Sequence, residues 1–150
     1  MDHYDVDSSV ILEIVFKQEN EHLARKLFQL SGYRNRYMLS ISPIVLGEVL
    51  TIISKERALE TKEDAFSELR NLLFYNQIHF YGLDILSLSQ ALIQILEADP
   101  FFRGMDVLVF ASTILNKSKR FYTFDKDFLE SNNLKAQFDV QIADPSTFRA

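Results

Sequence analysis

Tyr4-Asp5-Val6-Asp7-Ser8-Ser9-Val10-Ile11-Leu12 is the stretch on which the fold turns. It reads as a short strand ending near Asp7 that passes through hydroxyl residues into a helix, with Ser8 or Ser9 placed to cap the first helical turn. The same alternation runs on down the chain. Glu19 to Leu30 predicts a second helix, stopped at Ser31-Gly32, where glycine permits a left-handed closing residue. Tyr37 to Ile41 is a second short strand. Ser42-Pro43 opens the next helix with a cap residue and with proline at its first position, where the missing N–H costs nothing, and that helix continues to about Lys55. After the polar Glu56 to Lys62 segment, Ala65, Leu69, Leu72 and Leu73 recur at helical spacing and predict an amphipathic helix from Glu63 to Tyr75. Gln77 to Tyr81 is a third strand. Helices follow at Ser87 to Ala98, broken at Asp99-Pro100, and at Asp106 to Lys117, and Arg120 to Phe124 and Phe138 to Ile142 are the last two strands. Short strands alternating with helices imply an α/β fold whose parallel sheet of four to five strands is covered on both faces. In such folds the ligand crevice lies beyond the carboxyl ends of the strands.

The composition agrees with this reading. A chain of 150 residues, 47% apolar and 25% charged, with four Gly and three Pro, is expected to form one compact domain over residues 1–150. With no Cys, disulfides, thiolate zinc sites, iron–sulfur clusters and cysteine nucleophiles are excluded, so any metal must be held by oxygen or imidazole. A net charge of −5 argues against a protein that grips nucleic acid with its whole surface, though not against a local site. No stretch reaches the roughly 18 uninterrupted apolar residues of a membrane span. The opening Met1-Asp2-His3-Tyr4-Asp5 is acidic where a signal peptide is basic, which points to a cytoplasmic protein.

Among the 21 carboxylates, the informative ones have neighbours that leave them little polar surface. Glu48 has Ile44, Val45 and Ile52 around it at helical spacing. If buried it needs a cation, a hydrogen-bond network or a retained proton; at the edge of the stripe it reaches water. Asp106 begins a helix, as a cap residue does. Asp7 and Asp125 each follow a strand directly. Two strand ends and two helix beginnings thus deliver four carboxylates to one edge of the sheet. Four such acids repel one another unless a divalent cation lies between them, and without thiolates magnesium or manganese suits them best. An ion held by a few carboxylates keeps several waters, which suits phosphodiester hydrolysis. A metal-free ribonuclease needs an acid and a base, usually His, but His3 at the terminus, His22 in a polar helix and His79 in an apolar strand suggest no pair.

These residues resemble the PIN domain family, and within it the single-domain VapC-like toxins, over essentially the whole chain. Val6-Asp7-Ser8-Ser9-Val10-Ile11-Leu12 resembles the family's opening strand. Ser42-Pro43-Ile44-Val45-Leu46-Gly47-Glu48-Val49 resembles its second motif. Glu97-Ala98-Asp99-Pro100 with Gly104-Met105-Asp106-Val107-Leu108-Val109-Phe110-Ala111-Ser112-Thr113 is similar to the third, and Phe121-Tyr122-Thr123-Phe124-Asp125-Lys126-Asp127-Phe128 to the closing one. The resemblance implies an α/β/α sandwich and a metal-dependent endoribonuclease. It also implies inhibition by a small antitoxin protein and, commonly, a homodimer. On this reading Asp7, Glu48, Asp106 and Asp125 are catalytic and hold one or two Mg²⁺ or Mn²⁺ ions. Cleavage leaves a 5′-phosphate and a 3′-hydroxyl.

Asp5 shares strand parity with Asp7 and could exchange roles with it. Asp127 is expected to assist Asp125 or to bind metal through water, outside the set of direct ligands. Ser9 and Thr123 either orient a carboxylate or are an ordinary cap and an ordinary strand residue. Positive charge for the RNA substrate is available at Arg34 and Arg36, at Arg103 as a phosphate contact, and at Lys117, Lys119 and Arg120. The apolar faces of the Glu19–Leu30 and Glu63–Tyr75 helices offer places for an antitoxin helix or a second copy. One rival is a catalytically silent PIN-like RNA-binding or scaffold domain. Another, a receiver-type phosphoacceptor, lacks its adjacent acid pair, since Asp5 and Asp7 are separated by Val6.

Overall fold

In the computed structural model, which describes residues 1–32, 34–102 and 104–149, strand β1 (Asp2–Val6) is the middle of a five-stranded sheet. The other strands are β2 (Tyr37–Ile41), β3 (Ile78–Phe80), β4 (Arg120–Tyr122) and β5 (Gln141–Ala143), in the order β3-β2-β1-β4-β5. Every neighbouring pair is parallel, so all five carboxyl ends lie along one edge. The chain winds outward from β1 to β3, then crosses back to β4 and continues to β5. Winding therefore reverses between β1 and β4, where such a sheet opens a crevice.

The helices are α1 (Ser8–Val15), α2 (Glu21–Gln29), α3 (Pro43–Ser54), α4 (Leu59–Tyr75), α5 (Ile85–Ala98), α6 (Met105–Leu115), α7 (Lys126–Leu129) and α8 (Asn132–Gln137), with a 3-10 turn at Pro145–Thr147. Helix α1 packs on α2, α3 and α4, while α5 packs on α6 and α8, giving the α/β/α sandwich. Strand β2 is buried along its whole length, as a parallel strand covered on both faces must be. None of the described helices is long and apolar enough to cross a membrane.

Several boundaries differ from the sequence expectation. Helix α1 is capped by Asp7, whose carboxylate accepts the Ser8 N–H, rather than by Ser8 or Ser9. Helix α4 starts at Leu59, not Glu63, because its polar first turn lies in water and needs no apolar periodicity. Helix α5 starts at Ile85 on an Asp84 cap, and β4 ends at Tyr122, two residues early, because Thr123 and Asp125 turn into α7. Phe138 closes α8 instead of opening β5, and its ring meets Phe110 edge-on at 5.6 Å. The apolar face expected to be free on α2 is turned inward through Ala24, Leu27 and Phe28. On α4, by contrast, Leu59, Phe74 and Tyr75 are exposed.

Phe128 fixes the short α7 to the body of the protein. It is fully buried, with its ring centroid 5.0 Å from that of Phe102 and 4.8 Å from that of Phe121. Phe128→Ala is expected to lower stability by about 3–5 kcal/mol in urea unfolding, the usual cost of emptying an aromatic site.

Candidate metal centre

The end of β1 and the end of β4 are joined through two hydroxyl groups. Asp7, 3% exposed, accepts the Ser8 N–H on Oδ1 at 2.8 Å. On Oδ2 it accepts the Ser9 hydroxyl at 3.0 Å and the Thr123 hydroxyl at 2.8 Å. Each of those hydroxyls also accepts a backbone N–H from the segment after β4: Phe124 to Ser9 at 3.0 Å and Asp125 to Thr123 at 2.9 Å. Ser9 and Thr123 therefore orient Asp7 and set the path of the chain that carries Asp125. Burial pushes the Asp7 carboxyl above its ordinary value; the hydrogen bonds from Thr123, Ser9 and Ser8 oppose this, and the charge of Glu48 adds to it.

Asp106 stands in the first turn of α6, after Gly104, whose φ of +71° suits a residue without Cβ. Its carboxyl is pushed up to about 7, first by burial and then by the charges of Asp125, Asp7, Glu48 and Asp127. Asp106, Asp125 and Asp127 each bring a carboxylate oxygen within 4.8 Å of the others. Asp125 also caps α7, accepting the Asp127 N–H at 2.9 Å. Asp127 thus brings its carboxylate into the cluster beside Asp125. The i+2 cap geometry, readable in Asp125-Lys126-Asp127, is what brings it there.

Asp7 and Glu48 lie outside that tight trio but close enough to act on Asp106 electrostatically. The buried line of α3 is Val45, Val49 and Ile53, while Ile52 is 41% exposed. Glu48 is half-buried beside this line and needs no buried partner, so of the two readings of its apolar neighbours the edge position holds. Arg103 lies outside the described residues. An open cleft of about 370 Å³ adjoins the cluster, and Asp99 and Glu130 extend its acidity beyond Asp106 and Asp127.

The register separates Asp5 from Asp7. Asp5 is 2% exposed and accepts hydrogen bonds from the hydroxyls of Tyr81 and Ser118 and from the Asn116 amide at 2.8 Å. Burial raises its carboxyl to about 6 against the pull of those donors. It is fastened to the far end of α6, and nothing local in the sequence marks Asn116 or Ser118 as its partners. His3 and His79, expected to be unrelated, meet at 4.6 Å between ring centroids. The small Ser40 on the intervening β2 lets them do so and lies 3.1 Å from His3 Nδ1. Burial, then the charge of His79, lowers the His3 pKa. From His3 to Asp7 is four residues of strand, about 13 Å, so this pair stands apart from the acids.

The donor set therefore consists of hard carboxylate oxygens that repel one another, which fits a hard divalent cation. A parallel sheet whose winding reverses at a cluster of carboxylates defines the class to which the chain answers. It belongs to the PIN domain family, whose model matches residues 4–133. Among solved structures it is similar to VapBC2 from Rickettsia felis bound to a promoter DNA fragment. That match has 18% identity and a TM-score of 0.69, and covers 95% of this chain and 98% of that one. FitAcB from Neisseria gonorrhoeae is 15% identical, with a TM-score of 0.66 and coverage of 97% and 99%. The Mycobacterium tuberculosis toxin VapC20, described as cleaving the sarcin-ricin loop, is 17% identical, with a TM-score of 0.63 and coverage of 92% and 98%. No curated protein sequence matches significantly.

Proposed function

We propose that residues 1–150 act as one PIN-like unit, a metal-dependent endoribonuclease and the toxin of a VapBC-type pair. The observation that carries the reading is the convergence of Asp106, Asp125 and Asp127 oxygens within 4.8 Å, beside a buried Asp7 and a half-buried Glu48. Asp7, Glu48, Asp106 and Asp125 would hold Mg²⁺ or Mn²⁺, with Asp127 at the rim. When bound, the ion supplies a more acidic water for attack on the phosphodiester and positive charge for the leaving oxygen.

The protein's own groups do the rest. Ser9 and Thr123 keep Asp7 from rotating, so one wall of the site is set before any ligand arrives. Asp106, whose carboxyl burial and the neighbouring acids hold up to about 7, would serve as a ligand in its deprotonated form and complete the other wall. The products are a 5′-phosphate and a 3′-hydroxyl. The toxin reading is supported by the solved relatives, several of which are toxin–antitoxin complexes. An antitoxin and a second copy are its expected partners in the cytoplasm, and exposed Leu59, Phe74 and Tyr75 on α4 and Ile85 and Leu86 on α5 offer apolar surface for them.

The test uses purified, antitoxin-free protein with end-labelled RNA. Cleavage to 5′-phosphate ends is expected with Mg²⁺ or Mn²⁺ and none with EDTA. Absence of both cleavage and Mn²⁺ binding would establish the silent scaffold instead.

A further inference from the structure

At the edge of the sheet opposite the acids, four arginines line one cleft. Arg34 and Arg36 precede β2, Arg120 opens β4, and Arg149 follows the 3-10 turn; together they line a cleft of about 510 Å³. That volume lies within the range of sites that hold a ligand. Its floor is rigid: the Tyr4 and Tyr37 rings stack at 4.7 Å, and Phe148 meets Tyr37 edge-on at 5.6 Å.

None of the four arginines is in a salt bridge with a described residue. Among the described residues the ion pairs engage Lys17, Arg25 and Lys119 only. Arg120 donates to the Tyr122 hydroxyl and lies over the Tyr4 ring, its Cζ 5.0 Å from the centroid; Arg149 donates to the backbone carbonyls of Ser146 and Phe148. In a chain with 21 acids and a net charge of −5, the carboxylate whose charge reaches this group is that of Asp2, which acts on Arg120. Asp2 is itself paired to Lys119 at 3.2 Å, so the four neighbouring cations retain an excess of positive potential. All four are Arg, whose planar fork matches phosphate, and none is Lys.

We propose that this cleft is a phosphate-binding exosite that grips the RNA chain away from the acidic centre. The inference rests on the nuclease reading for the identity of its ligand and supplies what the acidic edge lacks, a place where the polyanion is attracted before any cation is bound. Asp125 follows Arg120 by five positions, so their backbones are at most about 18 Å apart even if fully extended, and one RNA molecule can reach both. An acidic peptide would present carboxylates to the same forks; the continuous phosphates of a nucleic acid suit four arginines along one cleft better.

The test measures binding of a fluorescein-labelled single-stranded RNA of about 12 nucleotides by anisotropy. EDTA is present throughout, so that cleavage plays no part. The triple variant Arg34→Gln, Arg36→Gln, Arg149→Gln removes exposed side chains and leaves Arg120 packed on Tyr4. It is expected to bind at least about tenfold more weakly, and the slope of log K against log salt should flatten by about 2, or 0.7 for each lost phosphate contact. The matching triple Lys variant should restore the slope, which a folding defect would not. Unchanged affinity and slope in the Gln variant would overturn the exosite. Tighter binding of polyglutamate than of RNA would also overturn it, as would AMP or inorganic phosphate competing as well as RNA. Wild-type protein that binds RNA in this way but never cleaves it with Mn²⁺ refutes the nuclease reading alone. A Gln variant that both binds and cleaves like wild type refutes the exosite alone.

Discussion

Asp106→Asn is expected to reduce RNA cleavage by at least about a hundredfold, beyond the loss typical of groups that only support a metal ligand, while making the metal-free protein more heat-resistant. Both effects have one origin. The Asp106 carboxyl, ordinarily near 3.8, is held up to about 7 by burial and by Asp125, Asp7, Glu48 and Asp127. Folding therefore favours its protonated form. The stability this provides is fully present below the unfolded value of 3.8 and is lost as pH rises through about 7. Asparagine carries no charge at any of these pH values and escapes the repulsion. In EDTA the variant's advantage in melting temperature should be small near pH 5 and largest near pH 8. Saturating Mn²⁺ should reverse the order by stabilising the wild type through binding. Thermal melts at the two pH values, with and without Mn²⁺, read all of this. Cleavage at the wild-type rate would remove Asp106 from the site.

Asp5→Ala is expected to cost about 2–4 kcal/mol, read as a lower urea midpoint, because it removes the common acceptor of a buried network. The Ser118 and Tyr81 hydroxyls and the Asn116 amide all donate to this one carboxylate. Without it the Ser118 hydroxyl loses its acceptor inside the protein, while the Asn116 amide keeps Ser118 Oγ at 3.0 Å and the Tyr81 hydroxyl keeps Ser42. Asp5→Asn keeps one carbonyl oxygen and should cost less. Since Asp5 points toward the end of α6 rather than the acid trio, folded Asp5→Asn protein should bind Mn²⁺ like wild type. Loss of Mn²⁺ binding at unchanged stability would show instead that Asp5 shares ligand duty.

Much of this arrangement is legible in the sequence because its signals are local. Tyr37 to Ile41, fully buried, and Ser42-Pro43, with the Ser42 hydroxyl accepting the Val45 N–H at 3.1 Å, form the elements their residue types call for. Asp106 and Asp125 meet, with Asp7 near enough to act on Asp106 through its charge, because strand ends and helix starts share one edge in a parallel sheet of this kind. Helices α7 and α8 escape notice because four and six residues are too few to show a period; only their caps, Asp125 and Ser131, announce them. The contacts of Asp5 with Ser118 and of His3 with His79 depend on strand register and on the size of Ser40, which no single segment encodes. The arginine cleft is illegible for the same reason: Arg36, Arg120 and Arg149 come from three remote segments.

The position of β1 in the middle of the sheet also has a consequence for how the protein is made. Val6 lies beside Tyr122, so the strand that leads into Asp7 lacks one of its two neighbours until β4, more than a hundred residues later in the sequence, has emerged from the ribosome. Such remote pairings close slowly and late. An unfinished polypeptide carries Asp7, Glu48 and Asp106, yet has neither Thr123 to fix the first of them nor Asp125 to complete the cluster. On the nuclease reading, the messenger and ribosome that produce the chain meet a complete set of acids only after Thr123 and Asp125 have emerged.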